Sequence, residues 1–221
     1  MKVSLISSSQ GLDGKNLLDQ VAYTARVSNP ANQNNTETSE KLVRYLIKHH
    51  HWSPLEMVSL CLEIETTRDI ARQILRHRSF SFQEFSQRYA DPTNDLGFEI
   101  RDARLQDLKN RQNSVELDVE SDGHAIIAGT WRNKQEQLIN LTKETYNWAI
   151  QNGIAKEQAR SVLPEGNTSS RMYMNGTLRS WVHYIQLRSG VETQKEHREI
   201  ALACAEAIKP IFPMIEEFIS E

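Results

Sequence analysis

The stretch Val58-Ser59-Leu60-Cys61-Leu62-Glu63-Ile64-Glu65-Thr66-Thr67-Arg68-Asp69-Ile70-Ala71 changes its period in the middle. Val58, Leu60, Leu62 and Ile64 occupy alternate positions, with Ser59, Cys61, Glu63 and Glu65 between them. That alternation predicts a strand with one buried face. From Thr66-Thr67-Arg68-Asp69 onward the apolar residues Ile70, Ala71, Ile74 and Leu75 follow helical spacing, so a helix opens there.

Upstream, Val3, Leu5 and Ile6 suggest a short strand, and Leu17, Leu18, Val21, Ala22 and Ala25 a helix that ends near Ser28-Asn29-Pro30. A polar loop over 32–38 leads to a helix capped by Thr38 or Ser39, with Leu42, Val43, Leu46 and Ile47 on its apolar stripe. Downstream, residues 91–128 read as an irregular surface excursion punctuated by Gly97 and Gly123, with Gly129 just beyond. A long helix is predicted over 131–150, with Gln135, Leu138, Ile139, Thr142, Tyr146 and Ala149 winding round it and Gly153 as its cap. A short helix over 156–161 stops at Pro164, and a strand over 170–174 ends at Asn175-Gly176. Thr177 then caps a helix bearing Leu178, Trp181, Val182 and Ile185, and a final helical region over 193–218 is interrupted near Pro210 and Pro213. Helices around few strands, without regular alternation, make the chain mixed α and β rather than doubly wound.

The 221 residues carry 26 basic and 29 acidic side chains, a formal charge of -3, so no global field favours nucleic acid or anionic membrane. No apolar run reaches membrane-spanning length, and the start lacks the apolar region of a signal peptide. Cys61 and Cys204 are far apart, with neither a disulfide framework nor metal-ligand spacing, which points to a reduced, cytoplasmic protein. Both read as packing or inert surface positions, and the tryptophans as core. The run His49-His50-His51 has no carboxylate cluster beside it, so no metal site is expected.

Arginine is unevenly placed. Arg68, Arg72, Arg76, Arg78 and Arg88 fall in one short region that holds only Asp69 and Glu84 as acids. At four-residue spacing Arg68, Arg72 and Arg76 line one helix face, where like charges repel unless an anion compensates them. The next fourteen residues, 76–89, hold three Arg, a His, three Ser, two Gln and a Glu, with Phe80, Phe82 and Phe85 interleaved. Such a density of donors suits a phosphate, a ribose and a base edge. A second set, Arg160, Arg171, Arg179, His183 and Arg188, lies far along the chain, followed by Glu192, Gln194, Glu196 and His197. Two basic clusters suggest two anionic ligands, or one clamped from both sides; solvated faces and ion pairs are the plain alternative.

The segment Arg76 to Arg88 reads R-H-R-x-x-S-x-x-x-x-S-x-R and resembles the signature of the flavin-dependent thymidylate synthases. His51-x-Ser53-Pro54-x-Glu56, Ala71-Arg72-Gln73, Ala159-Arg160-x-x-Leu163-Pro164 and Thr177-x-Arg179-x-x-x-His183-x-x-x-x-Arg188 extend the likeness over nearly the whole chain outside 91–128. The resemblance implies an α+β fold, one catalytic domain over 1–221 with a central, largely antiparallel sheet flanked by helices. It implies conversion of dUMP to dTMP, with 5,10-methylenetetrahydrofolate as one-carbon donor and reducing equivalents from NADPH through FAD. It further implies a homotetramer whose active sites are shared between subunits, with no nucleic-acid or membrane partner.

Carried over position by position, the resemblance assigns dUMP to Gln73, Arg76, Glu84, Phe85, Ser86, Gln87, Arg88, Arg160 and Arg188. Ser86 and Arg88 would hold phosphate, and Arg188 would favour ionisation of uracil N3, so that no cysteine nucleophile is needed. FAD would meet Ser53, Arg76, His77, Arg78, Glu84, Thr177, Arg179 and His183, with His51 lining the flavin or folate pocket. Thr177 stands where many members carry Asn, Gln87 where many carry Gly, and Glu192 where some carry His. The competing class is a nucleic-acid-binding module, or a catalytically degenerate relative, built on the same Arg- and Phe-rich stretch.

Overall fold

The computed structural model describes residues 1–118 and 120–220; of the excursion over 91–128, only Val119 falls outside the described residues. Its frame is a four-stranded sheet of β1 (Lys2–Ser8), β2 (Ser59–Thr67), β3 (Phe80–Glu84) and β6 (Ser169–Thr177), in the order β1-β2-β6-β3. Every pairing in it is antiparallel. β2 and β6 form the centre, Ser59 facing Thr177 at one end and Thr67 facing Ser169 at the other. Each of the two strands passes directly into a helix, β2 into α3 (Arg68–Ile74) and β6 into α7 (Leu178–Arg188).

The alternation around Leu60 has the expected effect. Leu60, Leu62 and Ile64 of β2 and Met172 and Met174 of β6 are fully buried on one face of the sheet. There they join Ile70 and Ile74 of α3, Trp181, Val182 and Ile185 of α7, and Ile200, Cys204 and Ile208 of α8 (Lys195–Ile208). Burying each such side chain is worth about 1.5–3 kcal/mol relative to exposure. Trp181 ties the layers together, its indole N–H donating to the Leu60 carbonyl at 3.2 Å. α1 (Leu17–Ala25) and α2 (Ser39–Lys48) pack on each other beside this core. Thr177 caps α7 as predicted, its hydroxyl accepting from the Ser180 N–H at 3.2 Å.

Several expectations are corrected. The helix predicted over 131–150 is α5 (Asp122–Gln151), thirty residues long. Gly123 and Gly129 lie inside it with ordinary helical backbone rather than ending a loop. The rest of the excursion contains a short helix α4 (Pro92–Asp95) and a hairpin of β4 (Arg104–Gln106) and β5 (Ser114–Glu116). β6 continues through Asn175-Gly176 to Thr177. The short helix α6 (Lys156–Ala159) gives way to a 3-10 turn over Arg160–Val162. β3 went unread because its five residues lie inside the polar, ligand-like segment. Of the tryptophans, all expected in the core, Trp181 is core while Trp131 and Trp148 are exposed. Among the described residues, no helix is long and apolar enough to cross a membrane.

Candidate functional site

The end of α3, the turn into β3 and the end of α7 meet around Arg188. Its Nε donates to Nε2 of His77 at 3.0 Å. An imidazole nitrogen that accepts carries no proton, so His77 is neutral with its hydrogen on Nδ1. Burial, reinforced by the charges of Arg188 and Arg76, pushes the His77 pKa from 6.5 to about 4. Among the described residues Arg188 has no carboxylate partner, so its half-buried charge is uncompensated within the chain. Gln73, one turn before His77, hydrogen-bonds Gln194 at 2.8 Å and His197 at 3.3 Å. His197 is fully buried and bonded to Tyr184 at 3.2 Å. His197, Gln194 and Glu196 had no role legible in the sequence, because only tertiary packing brings α8 against α3.

Glu84, at the end of β3, forms a second centre. Its carboxylate accepts from Ser170 Oγ at 2.8 Å and lies 3.5 Å from both Arg68 and Arg72. Arg72 also approaches Glu165 at 3.6 Å. The expected arginine face is therefore compensated in large part by the protein's own carboxylates, and Arg68 is buried. Arg76 lies beyond the last turn of α3 and does not share that face.

The third group follows β3. Phe85 donates its N–H to the Arg171 carbonyl at 2.8 Å, extending the strand pairing. The chain then turns back, the Ser86 carbonyl accepting from the N–H groups of Tyr89 and Ala90 and its hydroxyl from that of Arg88. Arg88 meets Glu157 of α6 at 3.5 Å with both side chains exposed, a pair worth about 0–1 kcal/mol and readily exchanged for phosphate. Arg160, at the end of the same short helix, is exposed and makes no ion pair among the described residues. Gln87 is buried, and its amide nitrogen lacks a hydrogen-bond partner there.

The fourth group sits at the start of α7. Arg179 pairs with Glu56 of the 3-10 turn over Ser53–Glu56 and lies 3.5 Å from His183. The His183 ring stacks at a tilt on Trp52, centroids 4.7 Å apart. These contacts bring Ser53, Arg179 and His183 together. The Thr177 hydroxyl, occupied in capping α7, is at the edge of the group. His51 lies apart from it: His50 adopts a left-handed φ of 58° after α2, and the ring of His51 approaches Tyr45 and His49. No group of three or more His, Cys, Asp or Glu is arranged to hold a metal among the described residues.

The Ser180 hydroxyl, at the start of α7, donates to the Ser79 carbonyl at 3.3 Å and ties the fourth group to the turn into β3. Clefts of about 420 and 450 Å³ are lined by other residues, one around Leu17 and Pro213, the other around Arg104 and Trp131. Two of the three Phe residues of the motif are not free to stack on bases. Phe80 is buried, edge-on to Trp181 at 4.8 Å, and Phe82 packs on the core. The donor set does fit a dinucleotide such as FAD. Arg76 and Arg78 are exposed and make no ion pair among the described residues, which leaves two forked cations for a pyrophosphate, and Ser53 and His183 add polar groups nearby.

The family described as thymidylate synthase complementing protein matches residues 13–214. A probable flavin-dependent thymidylate synthase of Paramecium bursaria Chlorella virus 1 is 46% identical over 217 residues, 97% of each chain. A flavin-dependent thymidylate synthase of Synechocystis is 46% identical over 216 residues, 96% of this chain and 95% of that one. Among solved structures, the UMP/dUMP methylase PolB of Streptomyces cacaoi bound with 5-Br UMP superposes with a TM-score of 0.78 at 26% identity, covering 98% of this chain and 92% of the other. The chain belongs to the family of flavin-dependent thymidylate synthases.

Proposed function

We propose that this protein converts dUMP to dTMP by reductive methylation, using 5,10-methylenetetrahydrofolate as one-carbon donor and NADPH as reductant, and releasing tetrahydrofolate. The reading takes 1–221 as one catalytic domain acting in the cytoplasm, and the assembly as a homotetramer that shares its active sites. Bound FAD would supply the hydride. Ser53, Arg76, His77, Arg78, Glu84, Thr177, Arg179 and His183 would hold it, and Gln73, Arg76, Glu84, Phe85, Ser86, Gln87, Arg88, Arg160 and Arg188 would hold dUMP. The relatives named flavin-dependent thymidylate synthases support this, as does the Streptomyces methylase crystallised with 5-Br dUMP.

The observation that carries the proposal is the state of Arg188. Its guanidinium is held by a neutral imidazole, with no carboxylate in contact among the described residues, so its full charge is available to an anion. Placed at uracil N3, it favours the ionised ring, whose C5 is then nucleophilic, without itself giving up a proton. Cys61 and Cys204 are not needed as nucleophiles; Cys204 is buried in the core, where desolvation pushes its thiol pKa far up. Ser86 and Arg88 would bind the phosphate at the turn after β3. Neighbouring subunits would complete each site.

The test is dTMP formation from dUMP, methylenetetrahydrofolate and NADPH under anaerobic conditions, with and without added FAD. Flavin-dependent product is expected. Absence of product, with no flavin retained and salt-sensitive oligonucleotide binding instead, would favour the nucleic-acid reading.

A further inference from the structure

Behind Gln73 the interior holds a run of hydrogen bonds that ends on one ion pair. Arg104 of β4 meets Glu196 at 2.6 Å. The Gln194 amide donates to the other Glu196 oxygen at 2.9 Å, and the Gln73 amide donates to Gln194 Oε1 at 2.8 Å. His197 Nδ1 lies 3.3 Å from Gln73 Oε1, and its Nε2 lies 3.2 Å from the Tyr184 hydroxyl. An amide can be turned end for end with almost no change of shape, and an imidazole can carry its proton on either nitrogen. The direction of such a run must come from a group that cannot be turned.

Glu196 is that group. Burial alone would raise its pKa, but hydrogen bonds from its own backbone N–H and from Gln194, together with the Arg104 charge, hold the carboxyl below its ordinary range. An ionised carboxylate only accepts. Gln194 must therefore offer its NH2 to Glu196 and its oxygen to Gln73. Gln73 must offer NH2 to Gln194 and its oxygen to His197. The His197 proton is then on Nδ1, and its bare Nε2 takes the Tyr184 hydroxyl hydrogen. Reversal would set the Gln194 oxygen against a carboxylate oxygen. His197 stays uncharged throughout, because burial, reinforced by the charge of Arg188, pushes its pKa down to about 3.

We infer that Glu196 fixes the polarity of this run and so presents Gln73 to the substrate as a donor, its oxygen engaged and one amide N–H left over. Gln73 then recognises an oxygen acceptor on the nucleotide. Glu196, Gln194 and His197 are positioning residues, and the hairpin is tied to the site through Arg104. This rests on the reading of Gln73 as a dUMP contact.

Glu196→Gln keeps the volume but lets either end of the new amide face Gln194. The KM for dUMP should rise about tenfold, the effect of one misdirected hydrogen bond, with kcat within about twofold. Nitrogen-15 spectra of histidine-labelled protein, recorded without substrate, should show His197 as the Nδ1–H tautomer in the unaltered chain and as a mixture in the variant. Arg104→Met removes the ion pair but leaves an acceptor-only carboxylate, so its KM should stay within about threefold. An unchanged KM or an unchanged tautomer in Glu196→Gln overturns the inference, as does an equal rise in Arg104→Met. If the unaltered protein makes no dTMP, the functional reading fails, while the tautomer measurement still decides whether Glu196 directs the run.

Discussion

Arg188 and Arg88 are asked for different things by their surroundings. Arg188 is half-buried against a neutral ring, where a lost charge is not replaced by solvent, so Arg188→Ala should lower kcat about a hundredfold or more while dUMP still binds. Near-normal turnover in that variant would remove its activating role. Arg88 is exposed and weakly paired, and Arg88→Ala should act through phosphate, raising the dUMP KM about tenfold or more. His77 and His197 carry a prediction for stability. Their folded pKa values, about 4 and about 3, lie below the ordinary 6.5. Between 6.5 and those values the unfolded chain binds protons that the folded chain does not, so stability is full above pH 6.5 and falls as pH drops. For buried His197 alone the loss is about 2 kcal/mol at pH 5, roughly 4–8 °C in melting temperature. Melting curves at pH 7 and pH 5 test this, and equal midpoints would refute it. The sequence motif identified Arg188 and Arg88, but it could not show which arginines remain free. Arg68 and Arg72 looked equally available, yet Glu84 and Glu165 take them.

The elements read best were those whose pattern reports one interaction. The alternation of β2 records burial against a single helical layer, and Thr177 records the cap of α7. β3 was missed because Phe80 and Phe82 alternate over too few residues, among polar neighbours that also suit a ligand. Its place is set by a partner, Gly176 of β6, opposite Phe80. A Cβ built on Gly176 would come 2.4 Å from the Phe80 ring, which is itself packed edge-on against Trp181. Gly176→Ala should therefore displace β3 and cost about 1–3 kcal/mol, lowering the melting temperature by several degrees. Because Glu84 ends the same strand, the variant should also bind dUMP more weakly. A melting temperature equal to that of the unaltered protein would show that the ring moves aside freely. The start of α5 was hidden for another reason. Gly123 and Gly129 each weaken a helix by about 1 kcal/mol relative to Ala, but a helix of thirty residues tolerates both.

At the scale of the molecule, α5 carries two stripes with the same spacing. Gln135, Ile139, Thr142, Tyr146 and Ala149 are buried against the chain. Beside them Ile127, Trp131, Leu138, Leu141 and Trp148 are 45–61% exposed, and Lys134 and Thr145 complete their alternating steps of four and three. A sustained 3.5-residue seam of large apolar groups is the pattern by which helices pack on one another, and it was legible in the sequence once the helix was given its full length. Its exposure on one chain fits the proposed self-assembly. Leu138→Glu with Leu141→Glu should give a smaller species by light scattering and little activity, although neither residue belongs to the four site groups. The sharing of sites can be separated from mere stabilisation by mixing. Arg188→Ala and Arg88→Ala chains are unfolded together, reassembled at equal amounts and assayed at dUMP far below KM, where each alone keeps about a tenth of the activity or less. If Arg188 and Arg88 of one site come from different subunits, about a quarter of the sites receive both arginines, and roughly that fraction of the activity returns. If both come from the same subunit, every site lacks one of them and no activity returns, which would leave the assembly without a catalytic reason.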